Sequence, residues 1–298
     1  MSQVHAAASS AKVRRREGHV VVGGVRLGIT EFGSGGRLVI LAPSLLMSRR
    51  MQEPMARVLA EKGFHVVCMN SVLSSGRRKA DPEQYSSEAL GKRMVALLDA
   101  MGGEVAVFGG TSLGANAALE AALREPNRTV AVIAESPMLD KSSVKLAPLL
   151  LLAHELFTVG RPVLWGARRL AGFLPAHSLA TRLLWDFLAT PADEHAALVK
   201  GLFMGRVAPP RNRRRSISVP AMVIGPERAF LHSRFDALQL AREIPDAHLQ
   251  PVPSSWSLRT RPQAVAPAIV SFLTEAFAAP WVIARTAYTP NIGDSHLN

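Results

Sequence analysis

The sequence alternates short, strongly apolar segments with amphipathic segments of helical period. The apolar segments are rich in β-branched residues, as in RLVILAP (residues 37–43) and FHVVCMN (residues 64–70). Such runs are typical of strands buried on both faces of a parallel sheet, and the segments between them have the apolar spacing of helices packed on one side. The alternation therefore predicts an α/β fold with a doubly wound, mostly parallel sheet.

One long interruption divides this alternation into two parts. Residues 138–218 are apolar, helical in pattern and without a strand signal. We interpret them as a helical cap inserted into a core formed by residues 18–137 and 219–280, with helices that only add packing as the alternative. Residues 1–17 are predicted to be a flexible N-terminus and residues 281–298 a loose tail.

Composition and charge exclude several classes of protein. The chain has 298 residues, one cysteine (Cys68), 6% aromatic residues and a formal net charge of +12. A single cysteine leaves no disulfide framework and no cysteine-based zinc cluster. The basic excess lies in the N-terminus and in the run RNRRR at residues 211–215, without the interleaved aromatics of a nucleic-acid surface. These arginines are predicted to be solvated, and no nucleic-acid partner is expected.

The sequence shows no pattern of a secretion signal or of a transmembrane segment. The first sixteen residues lack an apolar stretch, and the most apolar stretch, Leu146–Ala153, is too short to span a bilayer. Leucines 149–152 cannot all face one core from a single helix, so some are predicted to line a cavity, an interface or a membrane surface. We expect a cytoplasmic protein, and a homodimer is left open.

The motif that carries chemistry is Gly110-Thr111-Ser112-Leu113-Gly114, which matches G-x-S-x-G. The strand EVAVF precedes it and an alanine-rich helix follows. A sharp strand-to-helix turn strains the serine backbone and needs small neighbours, while the helix N-terminus aims its amides at a developing oxyanion. Ser112 is therefore a candidate nucleophile, and a glycine-rich turn with an idle serine is the alternative.

Together with PSLLMSRRMQEPMARVLAEKGFHVV (residues 43–67), VPAMVIGPER (219–228) and RTRPQAVAPAIVSFL (259–273), this motif resembles the α/β-hydrolase fold family. The resemblance covers residues 18–278 and is to the cap-bearing branch of esterases, C–C hydrolases and haloalkane dehalogenases. It implies a serine hydrolase (EC 3) whose triad is a serine, an acid and a histidine. The family's oxyanion hole would be formed here by the N–H groups of Leu45 and Leu113. The preceding His-Gly of the family reads Pro43-Ser44 in this chain.

The acid and the histidine of the family pattern are missing. Ala229 stands at the acid position, and the histidine position falls at Ser255 or Trp256. A serine without a base does not attack at neutral pH. Haloalkane dehalogenases place their acid at the strand end occupied here by Glu135, and His232 lies in the loop after the late strand. We expect Ser112, Glu135 and His232 to converge, with Ser255 or Trp256 filling the vacated position. A helix-capping carboxylate and an ordinary loop histidine are the alternatives.

The sequence leaves three functions open. The favoured one is an α/β-hydrolase-fold enzyme with an atypical site centred on Ser112, acting on a lipophilic ester, thioester or similar small molecule. A non-hydrolytic cyclase, lyase or isomerase of a biosynthetic pathway and a catalytically inactive binding protein are the alternatives. An apolar cavity is expected between Ser112 and residues 149–157 and 183–188. No cofactor and no metal are expected, since neither metal-ligand spacing nor a nucleotide loop is present.

Overall fold

The computed structural model describes residues 13–71, 81–171, 175, 177–228 and 234–286, without the side chains of residues 140–146, 161, 228 and 286. An eight-stranded sheet runs through them in the order β1-β2-β4-β3-β5-β6-β7-β8. The pairs β1–β2 and β2–β4 are antiparallel and the others are parallel, which confirms the predicted α/β fold. The strands are β1 (Arg15–Val22), β2 (Val25–Phe32), β3 (Leu38–Ala42), β4 (His65–Met69), β5 (Ala106–Thr111), β6 (Thr129–Glu135), β7 (Ala221–Arg228) and β8 (Ala247–Ser254).

Helices cover both faces of the sheet and also form an insertion between β6 and β7. Helices α2, α3 and α9 pack on one face, and α1 and α11 pack on the other. The central strands contribute side chains alternately to these two cores, as expected for strands buried on both sides. The helices are α1 (Glu53–Glu61), α2 (Ser87–Ala100), α3 (Leu113–Arg124), α4 (Asp140–Thr158), α5 (Arg161–Ala171), α6 (Leu179–Ala189), α7 (Ala192–Met204), α8 (Arg211–Arg214), α9 (Arg234–Glu243), α10 (Ser257–Thr260), α11 (Pro262–Phe277) and α12 (Pro280–Thr286), with 3-10 turns at Arg49–Gln52, Pro82–Tyr85 and Pro126–Arg128.

Both ends of the described chain are more ordered than the sequence predicts. Strand β1 begins at Arg15, inside the range predicted to be flexible, and pairs with β2 across the turn at Gly23-Gly24. Both glycines have positive φ (59° and 78°), the conformation of a tight hairpin turn. At the other end, α12 occupies the start of the predicted loose tail and buries Val282 completely.

The helical insertion (α4–α8, residues 140–214) lies within the range for which the pattern predicts a cap. Helices α4 and α7 pack against each other and share an apolar cluster that includes Leu150, Phe157 and Val199. Leu45 and Leu46, from the loop after β3, pack against the same cluster. This loop therefore joins the helical insertion to the carboxyl edge of the sheet.

The arginine run at residues 211–215 is exposed, as composition predicts, except at Arg214. The Arg214 side chain is 0% exposed, and its guanidinium donates to the Glu243 carboxylate and, at 2.7 Å, to the Pro209 carbonyl. Arg213 donates to Glu120 at 3.1 Å. The prediction for Arg214 is therefore wrong, because a buried carboxylate on α9 supplies the charge partner that burial of a guanidinium requires.

No single helix in the described ranges is long and apolar enough to cross a bilayer. Residues Ala147–Thr158 and Pro162–Ala171 reach that length and composition only as a pair, and the pair is bent by 83°.

Replacement of Arg214 tests the importance of its buried ion pair. In Arg214→Met, Glu243 stays buried with only the more exposed Arg211 as an ion-pair partner, at 3.2 Å. We expect the free energy of unfolding in urea to fall by about 3–5 kcal/mol, as when one partner of a buried pair is removed. The exposed neighbour Arg215→Met serves as the control and is expected to change it by under about 0.5 kcal/mol. Equal small losses in both variants would contradict a structural role for the pair.

His195 of α7 gives the helical insertion a pH-sensitive contact. Its ring stacks against both Phe157 and Phe187, with centroids 4.7 Å from each, and its Nε2–H donates to the Phe187 carbonyl at 2.9 Å. Burial lowers the pKa of His195 below its ordinary value of 6.5 despite this hydrogen bond. Below that value the unfolded chain binds a proton that the folded chain does not, so acid lowers stability.

We therefore expect a part of the unfolding free energy to be lost as the pH falls through about 6.5 towards the lower folded-state pKa of His195. His195→Gln keeps a donor for the Phe187 carbonyl but does not titrate, so its stability should fall less than that of the wild type over this range. His177→Gln, at an exposed histidine, is the control and should follow the wild type. Parallel pH profiles of all three proteins in urea unfolding would show that His195 has no such effect.

Candidate functional site

Ser112 forms the turn between β5 and α3 in a strained conformation. Its φ and ψ are 56° and −110°, and it is 1% exposed. Its N–H donates to the Glu135 carbonyl at 2.8 Å, and its carbonyl accepts from the Asn116 N–H at 3.1 Å. These bonds hold a non-glycine residue in the left-handed region, which costs on the order of 1–3 kcal/mol. The predicted strand–serine–helix elbow is therefore present.

The two glycines of the motif are required by the close approach of the β3 backbone. A Cβ atom at Gly110 would lie 2.5 Å from the Ala42 carbonyl oxygen, and one at Gly114 would lie 2.2 Å from the same atom. Real Cβ atoms do not approach so closely to backbone. The expected need for small residues on both sides of Ser112 is confirmed, and its cause is contact with the end of β3.

Backbone strain is concentrated along one edge of the sheet. Among the described residues, the non-glycine residues with positive φ are Leu46 (60°), Ser112 (56°) and Ser136 (48°). They follow β3, β5 and β6, which are neighbours in the sheet, so all three lie at its carboxyl edge. Ser136 is also buried, and its hydroxyl has no hydrogen-bond partner among the described residues. Strained residues of this kind cluster at functional sites.

The two predicted oxyanion donors, Leu45 and Leu113, have backbone amides with no acceptor among the described residues. Leu45 lies in the turn closed by the Met47 N–H, which donates to the Ser44 carbonyl at 3.1 Å, and Leu113 is the first residue of α3. Within the described parts of the chain, neither the Leu45 N–H nor the Leu113 N–H donates a hydrogen bond. Both remain available to an oxyanion, and their convergence on Ser112 stays a prediction.

The Glu135 carboxylate is held in a buried ion pair with Arg259 of α10. Its other oxygen accepts from the hydroxyl of Thr111. Thr111 and Glu135 are paired in the β5–β6 register, and both side chains point to the face covered by α1 and α11. Among the described residues, no hydrogen bond joins the Glu135 carboxylate to the Ser112 hydroxyl.

Thr111 and Gln52 extend this ion pair into a network. The Thr111 hydroxyl accepts from Arg259 and, at 2.9 Å, from the Gln52 amide. The Gln52 amide nitrogen also donates to the Ala42 carbonyl at 2.9 Å, and its oxygen accepts from Arg259 at 3.2 Å. Arg259 donates in addition to the Met51 carbonyl at 3.1 Å. The side-chain polar atoms of Glu135, Thr111, Gln52 and Arg259 are thus all paired, which low-dielectric burial requires.

Sequence reasoning did not identify Arg259, Thr111 or Gln52. Residues 253–261, where the family pattern has its histidine, contain no histidine but include Arg259. A single sequence carries no signal that pairs Arg259 with Glu135, since 124 positions separate them.

The predicted acid and base are only partly described. His232 and Ala229 lie outside the described residues, so convergence of His232 with Ser112 stays a prediction. For Glu135 the acid role also stays a prediction, and it would require His232 to share a carboxylate already paired with Arg259.

That Ser255 or Trp256 fills the vacated histidine position stays a prediction. Trp256 is exposed at the start of α10, and the Ser255 hydroxyl is buried without a partner among the described residues. The side chain that enters from this loop and reaches Glu135 is Arg259. A guanidinium is long enough to bridge α10 to the ends of β5 and β6, which neither Ser255 nor Trp256 does.

A cavity of about 150 Å³ lies inside the helical insertion. It is partly open to solvent, and its lining consists of Leu164, Trp165, Arg168, Phe187, Leu188, Thr190, Pro191, Ala192 and His195. Phe187 and Leu188 belong to the predicted lining range 183–188, but neither Ser112 nor any residue of 149–157 lines this cavity. Among the described residues, no group of three or more His, Cys, Asp or Glu side chains could hold a metal ion.

Comparison with known proteins places the chain among hydrolase folds. Residues 37–214 match the model of the α/β hydrolase fold family. The chain is 31% identical over 119 residues to the "Putative non-heme haloperoxidase" of Mycobacterium phage D29, and 37% identical over 127 residues to epoxide hydrolase A of Mycobacterium tuberculosis. These alignments cover 40% and 41% of this chain and 42% and 38% of the relatives. The chain thus matches about two fifths of the length of each relative.

Solved structures agree with this assignment. The enol-lactonase from Burkholderia xenovorans LB400 superposes with a TM-score of 0.68 at 22% identity, over 86% of this chain and 99% of that one. The family match ends at Arg214 and so does not include the segment with Ala229, His232, Ser255 and Trp256. It nevertheless spans more than half of the chain and contains the elbow, and the chain therefore belongs to the α/β hydrolase fold family.

Proposed function

We propose that the protein is a hydrolase with an atypical site centred on Ser112, acting on a lipophilic ester, thioester or similar small molecule. The observation that carries the proposal is the strain shared by Leu46, Ser112 and Ser136 at the ends of three neighbouring strands. Strain on the order of 1–3 kcal/mol at each position persists only where the surrounding structure enforces it. Here the Ala42 backbone, Gly110 and Gly114 enforce it around a serine hydroxyl.

In the proposed reaction the Ser112 oxygen forms a bond to the substrate carbonyl carbon. The serine proton passes to a base, for which His232 is the candidate, directly or through one water. The Leu45 and Leu113 N–H groups stabilise the negative charge on the carbonyl oxygen, together with the N-terminus of α3. The leaving group departs with the proton, and water then hydrolyses the acyl-enzyme by the reverse sequence of proton transfers.

In this scheme Arg259 is a positioning residue. It neutralises the buried Glu135 carboxylate and holds Thr111, the residue directly before the nucleophile. The Gln52 amide donates both to Thr111 and to the Ala42 carbonyl. These two hydrogen bonds hold the end of β3 at a fixed distance from the elbow. That distance sets the separation between the Leu45 amide and the Ser112 hydroxyl.

The preference for lipophilic substrates rests on the helical insertion acting as a cap. The apolar cluster of α4 and α7 packs directly against Leu45 and Leu46. The cavity in the insertion, which does not reach Ser112, includes Leu164, Trp165 and Phe187 in its lining, and apolar linings bind apolar groups.

A second candidate function is a non-hydrolytic cyclase, lyase or isomerase on the same scaffold. The observation that favours it is the pairing of Glu135 with Arg259, which leaves this carboxylate committed to a guanidinium. Ser112 would then supply a hydrogen bond to the substrate, and the strained elbow would position that hydrogen bond. A catalytically inactive binding protein accounts less well for strain at three strand ends.

Covalent labelling separates these functions. We expect a fluorophosphonate probe to label the purified protein with one equivalent at Ser112, and Ser112→Ala to abolish labelling. The matched control is Ser136→Ala, which removes the neighbouring strained serine and should leave labelling intact. His232→Ala should slow labelling by about 10²-fold or more if His232 is the base. A folded wild-type protein that takes up no probe would favour the non-hydrolytic function.

Arg259→Met tests the positioning network. It leaves Glu135 buried without its partner, so we expect a loss of about 3–5 kcal/mol in unfolding free energy. It should also slow fluorophosphonate labelling, because Thr111 loses a donor next to Ser112. The double variant Arg259→Met/Glu135→Gln removes the unpaired charge and should recover part of the stability, with a coupling of about 0.5–3 kcal/mol.

The exposed Arg261→Met is the control for Arg259→Met and should resemble the wild type. Additive effects of the Arg259 and Glu135 substitutions would show that the two residues do not act as a pair. Loss of stability with an unchanged labelling rate of the folded protein would leave Arg259 a structural residue only.

A further inference from the structure

The exposed sides of α4 and α5, and a residue between the two helices, carry a series of apolar side chains. Spacings of three and four residues keep those of α4 on one side of that helix, and a spacing of seven does the same for the two of α5. Their exposed fractions range from 41% to 76%. This apolar stripe consists of Leu149, Leu152, Leu156, Val159, Val163 and Leu170.

The opposite face of α4 already supplies the core of the helical insertion. Leu150 and Phe157 are buried there against Ala196 and Val199 of α7. Helix α4 is thus apolar on both faces, and only one face is covered. Monomeric soluble proteins rarely expose contiguous apolar patches larger than a few hundred Å², and such patches mark interaction sites.

The exposed surface of α5 also carries cationic and aromatic side chains. Arg168 and Arg169 are exposed on α5, and the Arg169 guanidinium lies 5.5 Å from the ring centroid of Trp165, which is 65% exposed. The sequence between residues 147 and 171 has one acidic residue, Glu155, and three arginines, Arg161, Arg168 and Arg169. The chain as a whole carries a formal charge of +12. Apolar side chains bordered by arginine and tryptophan match the boundary between acyl chains and anionic headgroups.

We propose that this face of the helical insertion docks on the surface of an anionic lipid bilayer. The apolar stripe enters the headgroup–acyl boundary, and Arg168 and Arg169 pair with lipid phosphates. The 83° bend between α4 and α5 prevents the pair from crossing the bilayer as one straight helix but allows both to lie in its plane. The proposal does not depend on the chemistry at Ser112.

A second copy of this chain is a less suitable occupant. Two copies that met through this face would bring together Arg168 and Arg169 of both, and each copy carries a charge of +12. Like charge at that density opposes self-association. An anionic bilayer covers the same apolar side chains and neutralises the charge.

Vesicle co-sedimentation tests the proposal on the full chain. We expect binding to vesicles of phosphatidylcholine mixed with phosphatidylglycerol, weaker binding to phosphatidylcholine alone, and loss of binding as salt is raised. Arg168→Gln/Arg169→Gln should weaken binding about 30-fold, from about 1 kcal/mol per arginine near an anionic surface. Trp165 fluorescence should shift to shorter wavelength on binding, and Trp165→Phe should remove most of that shift.

Leu152→Glu/Val163→Glu places two charges in the apolar stripe at exposed positions, so folding should be retained, as circular dichroism can verify. Binding to the anionic vesicles should then fall at least about tenfold. The matched control is Val21→Glu/Ile283→Glu, at exposed apolar residues of β1 and α12, which should bind as the wild type does.

Three results would overturn the proposal. In the first, the wild type does not bind anionic vesicles. In the second, Leu152→Glu/Val163→Glu and the control variant bind these vesicles equally well. In the third, the wild type is a dimer in analytical ultracentrifugation and Leu152→Glu/Val163→Glu is a monomer. The last result would assign the face to a second copy.

Discussion

The geometry of the candidate site depends on the contact between the Ala42 carbonyl and the elbow. Gly110 and Gly114 approach this oxygen so closely that no side chain fits at either position. The same carbonyl accepts a hydrogen bond from Gln52, which leads through Thr111 to the buried pair of Arg259 and Glu135. One backbone oxygen at the end of β3 is thus held by a steric contact on one side and by a polar network on the other. The strained Ser112 backbone is kept in place between them.

Buried charge joins parts of the chain that are far apart in sequence. Arg259 connects α10 to β6 through Glu135, and Arg214 connects the end of the helical insertion to α9 through Glu243. Each pair is surrounded by further hydrogen bonds, which offset the cost of removing ions from water. Substitution of one partner alone is destabilising, because the charge of the other partner would remain buried without its ion pair. The two pairs therefore fix how the segments before and after the insertion meet.

The sequence predicted the parts of the fold that depend on local pattern. Strands such as RLVILAP and helices such as α2 follow from periodicity, and the elbow follows from the glycines around Ser112. It did not predict the environment of single charged residues, because Arg214 and Arg259 have partners on distant elements. Composition indicated that Arg214 was solvated, yet it is fully buried. The positive φ of Leu46 and Ser136 also has no signature in the sequence, since this strain arises where neighbouring strands end at the same edge of the sheet.

The loop after β3 belongs to two structural units at once. Leu45 and Leu46 pack into the apolar cluster of α4 and α7, while the Leu45 amide faces no backbone acceptor among the described residues. Close-packed interiors transmit displacement rather than absorb it. Any shift of α4 relative to the sheet must therefore move the Leu45 peptide, whose N–H has no hydrogen bond to resist rotation. The loop therefore couples a movement of α4 to the orientation of the Leu45 peptide, whose N–H is the first of the two predicted oxyanion donors.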